Sequence, residues 1–384
     1  MTPTLSVLQA VVAWVAVALA VGLAVRWRGR AAYEGPADDA ETAAQLRRLR
    51  RLADVAGIGA TAAVTYRTGL GRAAQAGVTE AVTDASGLVP LGTVAGVVAA
   101  VAVYALPVML VALVVRLATL PYRRAVRGFR VRYRDAAAWE LERDGVGLVG
   151  VLLAAGAIAL VPAGWPRVLA AVGLGLVATA LTPFAVVVAL WTRWPTDAEL
   201  AAVADALPSG VRLRVVDDRT RLGSAFAAGV LPGAEYVFLT ESLFAVLDDE
   251  ELRAVVAHEV GHHEREHVLL RYTLVAAGAG VALGVALGVA SVAPDAALVA
   301  LLVGAPPFAV VLAWVVRRTE AQADAYAARA VGGDALASAL ETLADRRYIA
   351  AGVGPSRVLS HHPPLGDRID ELRSGGERVE PRAR

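Results

Sequence analysis

The chain contains no cysteine. Disulfides and thiolate ligands are therefore excluded, and any transition-metal site has to be assembled from His, Asp and Glu. Lysine is absent too: all 37 basic residues are arginine, a bias of base composition that carries no chemistry of its own. Net charge is nearly absent, +1 from 37 basic and 36 acidic residues, so nothing points to nucleic acid or to an acidic substrate. Polar residues are scarce: 57% of the 384 residues are hydrophobic and the mean hydropathy is +0.55. Soluble domains run nearer about 45–50% apolar, which shifts the expectation to a membrane protein.

A helix that crosses the hydrocarbon core needs about 20 mostly apolar residues. Residues 5–25, 91–115, 148–164, 167–191, 272–292 and 296–316 meet that description. The first has no basic residue before it and is longer than a typical leader core, so a retained span is expected rather than a cleaved signal. Seven arginines between Arg26 and Arg51 follow this span, and seven between Arg116 and Arg134 follow the second. Arginine-rich flanks favour the cytoplasm, and one span cannot join two inside loops. A seventh span over 52–70, despite Asp54 and Arg67, resolves the conflict. It leaves 71–90 as an outer loop and the N-terminus outside. The competing reading makes 52–70 an amphipathic surface helix and reverses the first span. Gly280, Gly284 and Gly288 form a small-residue ladder suited to close helix packing.

The expected fold is mainly α: a polytopic helical membrane protein with a small α+β domain. Residues 1–192 form an N-terminal transmembrane region and 193–271 a first water-exposed segment. A hairpin of spans follows over 272–316, and 317–384 form a second exposed segment on the same side. Within the first exposed segment, 197–207 reads as a helix, 208–210 as a turn, and 211–216 and 235–239 as strands. Residues 224–229 form a short apolar strand between them. Asp248 is an N-cap choice, and Glu251 completes a capping-box pattern for a helix running to about His267.

On that helix His258, Glu259, Val260, Gly261 and His262 spell H-E-x-x-H. Residues four apart share a helical face, so both imidazoles can reach one Zn²⁺, while Glu259 can act as general base on the attacking water. A polar helix end is the plain alternative, since His263, Glu264, Arg265 and Glu266 continue the polar run. A third histidine ten residues after the first would extend the motif, but that position is Val268, and His267 is one residue out of register. Glu320 is the remaining choice, with Asp324 four residues on. Two histidines and one carboxylate leave an open position, the pattern of a catalytic zinc site, and Asp324 can orient a ligand histidine. Taken alone, Glu320 could equally be a surface residue paired with Arg317.

At these residues the sequence resembles the HtpX / CAAX prenyl protease family of integral-membrane zinc metallopeptidases: H-E-x-x-H, two spans, then E-x-x-x-D. Residues 360–369, with His361, His362, Pro363, Pro364 and Arg368, are similar to the family's C-terminal H-P-P-x-x-x-R-I. The resemblance covers about 190–384 and implies a zincin-like catalytic domain on the cytoplasmic side. It implies His362 as an oxyanion stabiliser, Arg368 as a structural partner of a carboxylate, and Ser224, Ala225 and Phe226 as a strand beside the substrate. Serine stands where the family has asparagine. The spans before the motif lean to the prenyl-protease-like branch.

The expected activity is zinc-dependent endopeptidase cleavage of membrane proteins or lipid-anchored peptides at the cytoplasmic face of the cell membrane. One Zn²⁺ per chain, a polypeptide substrate and the lipid bilayer are the expected partners, with no nucleic acid. A metal-binding sensor or scaffold without turnover is the alternative. It should carry an appended ligand-binding or DNA-binding domain, whereas the stretch after Arg373 is short and rich in Gly, Arg and Glu.

Overall fold

A computed structural model of the chain describes residues 3–37, 39–128, 130–162, 165–217, 224–284, 294–346, 348–349 and 364–375. Two compact units emerge, residues 1–170 and 171–384.

The first unit contains α1 (Pro3–Tyr33), α2 (Asp39–Thr68), α3 (Leu70–Ser86), α4 (Val89–Arg127) and α5 (Tyr133–Ala159). The stretch at 71–90, expected as an outer loop between spans, is largely helical, as α3. Leu70, Ala74, Val78 and Val82 recur every four residues and are half-buried, which gives this stretch an apolar helical face. Gly69, at φ 66°, breaks the chain between α2 and α3, a conformation that glycine adopts without strain. Gly92 and Gly96 of α4 leave no room for a Cβ against Thr83 and Thr79, so α3 lies directly along α4.

Among the described residues, three helical stretches are long and apolar enough to cross a membrane: Val7–Tyr33, Val89–Val126 and Leu169–Val187. His267–Ala282 is a shorter apolar helix. The stretches at 52–70, 148–164 and 296–316 fall largely in α2, α5 and the helix carrying Glu320, and 272–292 is described as far as Gly284. Gly280 packs against Val172, as a small-residue contact should, while Gly288 lies outside the described residues.

The second unit begins within α6 (Trp165–Ala189). There follow β1 (Thr192–Arg193), α7 (Asp197–Val203), a 3₁₀ turn (Ala204–Ala206), β2 (Val211–Val216), β3 (Ala225–Ala228) and β4 (Glu235–Thr240). Then come α8 (Glu241–Phe244), α9 (Asp249–Glu264), α10 (His267–Gly284), α11 (Pro294–Val331), α12 (Gly333–Asp345) and α13 (Leu365–Arg373). The sheet order is β1-β2-β4-β3, with β2 and β4 parallel and both outer pairs antiparallel. The end of α6 covers one face, Val186, Val187 and Leu190 packing on Phe238 and Val216. The other face packs on α9 through Leu213, Val237, Leu239, Leu252, Val256 and Val260.

Helix α9 is the middle of this unit. Its opposite side meets α11, α12 and α13, where Ala254 and Ala257 contact Ala327, Leu336, Leu340 and Leu365. A helix covered on both sides has to be apolar around most of its circumference, and from Leu252 to His262 only Arg253 is not buried. Its start is secured by the capping box: Asp248 Oδ1 accepts from Glu251 N at 2.8 Å and Glu251 Oε2 accepts from Asp248 N at 3.2 Å. The other oxygen of Glu251 accepts from Ser338 Oγ (2.8 Å) and Thr342 Oγ1 (2.7 Å) of α12. One buried carboxylate thus caps α9 and fixes α12 to it.

Glu251→Ala removes half of the cap and leaves two hydroxyls without their acceptor. The expected cost is about 2–4 kcal/mol, read as a lowered unfolding midpoint of the purified protein. Asp249→Ala, one position along and outside this network, should change the midpoint little.

Candidate metal centre

His258 and His262 lie one turn apart on α9, and Glu320 comes from α11, a single 38-residue helix that runs on past the apolar stretch. All three are buried. Their ligand atoms lie within 4.8 Å of one another. Glu320 Oε2 is 3.7 Å from His258 Nε2, and Glu320 Oε1 is 3.5 Å from His262 Nε2. Ligands about 2.1 Å from a tetrahedral ion are separated by about 3.4 Å, so these spacings suit zinc-sized coordination. The two imidazole planes stand at 89° to one another, their centroids 5.0 Å apart.

Gly261 makes this convergence possible. A Cβ there would sit 3.0 Å from Tyr326 Cβ and 3.2 Å from Ala323 Cα. The missing side chain lets α11 approach α9 closely enough for Glu320 to reach the histidines.

Each of the three residues is held from behind. His258 Nδ1 lies 2.8 Å from Asp324 Oδ1, a close charged contact whose angle is poor for a hydrogen bond. Arg368 of α13 grips the same carboxylate with two donors, at 2.7 and 2.6 Å. His262 Nδ1 is 3.1 Å from His267 Nδ1, and His267 Nε2 is 2.8 Å from Gln322 Oε1. The amide oxygen only accepts, so His267 donates from Nε2 and its Nδ1 carries a lone pair. His262 must then donate from Nδ1, which leaves its Nε2 bare and aimed at the cluster. Glu320 Oε1 accepts from Arg271 Nη2 at 2.7 Å.

The helix expected to run to His267 in fact stops at Glu264. Glu266, at φ 54°, turns the chain so that His267 opens α10 with its ring facing His262. Registers counted on a continuous helix therefore missed His267. Gln322 and Arg271 were missed as well. The available signal for Arg271 was a lone charge immediately ahead of an apolar run. Glu320, read from sequence as a possible partner of Arg317, is met by Arg271. Ser224, Ala225 and Phe226 all line the cleft beside the cluster, whereas His361 and His362 lie outside the described residues.

The electrostatics are those of a cation trap. Burial works against a charge on His258, but Asp324 and Glu320 outweigh it and push its pKa up to about 10. Burial, reinforced by the charge on His258, drives His262 down to about 2, keeping it neutral. Burial also opposes ionisation of Asp324, yet His258 and Arg368 hold it at about 2. Glu259 is raised, mainly by burial and also by the nearby Glu320 carboxylate. A field that draws a proton onto one imidazole will also favour a metal ion between the same groups.

Glu259 faces a cleft of about 490 Å³ that also exposes His258, His262 and Glu320. One wall is β3, an edge of the sheet. Ser224 O accepts from Thr240 N, and Phe226 faces Phe238 across the same pair. Main-chain groups alternate in an antiparallel pair, so those of Ala225 and Ala227 point away from β4. The other wall is apolar, built from Leu243, Val255, Leu340, Leu343 and Ile349.

With this geometry in hand, the comparisons are specific. The model of peptidase family M48 matches residues 197–375. A Protease HtpX homolog of Dictyoglomus thermophilum is 32% identical over 207 residues, 46% of this chain and 67% of that protein. The chain belongs to peptidase family M48. A second Protease HtpX homolog, from Desulforapulum autotrophicum, is 32% identical over 187 residues, 40% of this chain and 60% of that protein. The M48 chain thus spans 60% and 67% of the lengths of these two relatives. Among solved structures it shares its fold with Ste24p of S. mikatae, covering 97% of this chain and 99% of that one. The TM-score is 0.59 and the identity 14%.

Because the approach of α11 depends on an absent side chain, Gly261→Val should push Glu320 away from both histidines. The expected result is at least a tenfold loss of metal affinity in a chelator competition, with the helical circular dichroism retained.

Proposed function

We propose that this M48 chain is a membrane-embedded, zinc-dependent endopeptidase that hydrolyses peptide bonds of membrane or membrane-associated proteins at the cytoplasmic face of the cell membrane. The observation that supports it best is the convergence of His258, His262 and Glu320 in one cleft with Glu259 and the free edge of β3. A ring of two imidazoles and one carboxylate leaves room for substrate, and a carboxylate beside it can move a proton.

His258, His262 and Glu320 hold the ion. Bound there, zinc supplies Lewis acidity, polarising the scissile carbonyl and lowering the pKa of water from 15.7 to about 7. Glu259 takes a proton from the attacking water and delivers it to the leaving amine. Its burial suits that role, since a carboxylate raised toward neutrality can hold the proton between the two transfers. An extended substrate adds as a further strand along β3, bonding main chain to main chain at Ala225 and Ala227. This mode needs no side chain at position 224, so serine in place of asparagine does not disable it. The wall formed by Leu243, Val255, Leu340, Leu343 and Ile349 then takes an apolar substrate side chain. His362 is assigned by resemblance to the oxyanion.

The arginine-rich flanks at 26–51 and 116–134 support a cytoplasmic placement of those helix ends. The fold shared with Ste24p along nearly the whole chain is compatible with a long N-terminal membrane region. We assign seven spans, with α2 as the least apolar of them.

Detergent-purified wild type should contain one zinc per chain and cleave casein or a membrane-protein substrate. Glu259→Gln should keep the zinc and lose at least about a hundredfold in turnover, in the range expected of a general base. His258→Ala should lose both. Full turnover in Glu259→Gln would rule out the mechanism. A zinc-loaded wild type that cuts no substrate would favour the sensor or scaffold instead.

A further inference from the structure

Arg271 is not part of the H-E-x-x-H pattern or of E-x-x-x-D. It sits one turn into α10, and every described acceptor it reaches is on one turn of α11. Nε donates to Thr319 Oγ1 at 2.8 Å, and Nη2 contacts the same oxygen more closely. Nη2 also reaches Val316 O at 3.4 Å and Glu320 Oε1 at 2.7 Å. Thr319 can accept these bonds because its own proton goes to the helix carbonyls of Val315 and Val316. The guanidinium is therefore held in one orientation before it meets Glu320.

We propose that Arg271 is a positioning residue for Glu320, fixing its carboxylate for metal binding. This inference rests on the reading of Glu320 as a ligand. A glutamate side chain has three rotatable torsions, and a buried carboxylate with no donor pays a large desolvation cost. Glu320 is 3% exposed, so its direction is set by whatever donates to it. Arg271 bonds Oε1, the oxygen that lies 3.5 Å from His262 Nε2, while Oε2 lies 3.7 Å from His258 Nε2. The other two ligands are held in a comparable way, His258 against Asp324 and His262 against His267. Arg271 completes the set and ties it to the junction of α10 and α11. Its positive charge alone would repel a metal ion. The fork geometry, rather than the charge, is what the site uses.

The test compares wild type, Arg271→Lys and Arg271→Met for zinc affinity by competition with a chromogenic chelator. Thermal midpoints of the chelated, metal-free proteins are recorded alongside. Arg271→Met should bind zinc about 10–100-fold more weakly, the usual cost of removing a partner of a ligand. Arg271→Lys, which keeps the charge without the fork, should be intermediate. At saturating zinc both variants should fill to one zinc per chain, because Arg271 acts through Glu320 and is not itself a ligand. If Arg271→Met fails to fold, Arg271→Lys and Thr319→Val carry the same comparison. A purely structural role would lower the metal-free midpoint and leave zinc affinity unchanged. Unchanged or tighter zinc binding in the variants overturns the proposal. A wild type that binds no zinc overturns the reading of Glu320 beneath it.

Discussion

Three imidazoles and four carboxylates are buried in a domain whose remaining core is mostly Leu, Val and Ala. Burying an ionisable group costs several kcal/mol unless it finds a counter-charge or donor, and this constraint orders the whole second unit. It explains why Asp324 is gripped by Arg368, why His262 leans on His267, and why Glu320 is met by Arg271. These partners come from other elements than the groups they serve: Arg368 from α13, His267 and Arg271 from α10. The polar centre therefore pins together helices that apolar packing alone would let slide.

Helix α9 bears the main mechanical demand, because it carries His258, Glu259 and His262 while packing on both sides. Its sequence reconciles these roles by position. The ionisable groups occupy the stripe between the sheet side and the α11 side, and alanines and Gly261 occupy the positions where another helix comes closest. The cap at its N-terminus belongs to the same arrangement. Glu251 serves α9 and α12 at once, so the apolar wall of the cleft on α12 is tied to the helix that carries Glu259.

Much of this was legible without coordinates. The strands at 211–216 and 235–239, the cap at Asp248, the shared face of His258 and His262, and the pairing of Glu320 with Asp324 by spacing follow from local rules of period and capping. The stretch at 71–90 was read only as a connection between spans, and its helix went unseen because its apolar face is weak; α3 lies against Gly92 and Gly96 of α4. The end of α9 was also misplaced, since a non-glycine residue at positive φ leaves little trace in composition.

What the sequence determined by itself was chemistry of short range: an H-E-x-x-H pair on one helical face, a carboxylate one turn from another, and long apolar helices. These depend on contacts a few residues apart, which fixed periodicities encode. Tertiary structure alone decided the supporting partners. Arg271 meets Glu320 across 49 residues, and His267 meets Gln322 across 55. No periodicity links such positions. They are chosen by which helices pack together, and by the cost of leaving a buried charge unanswered.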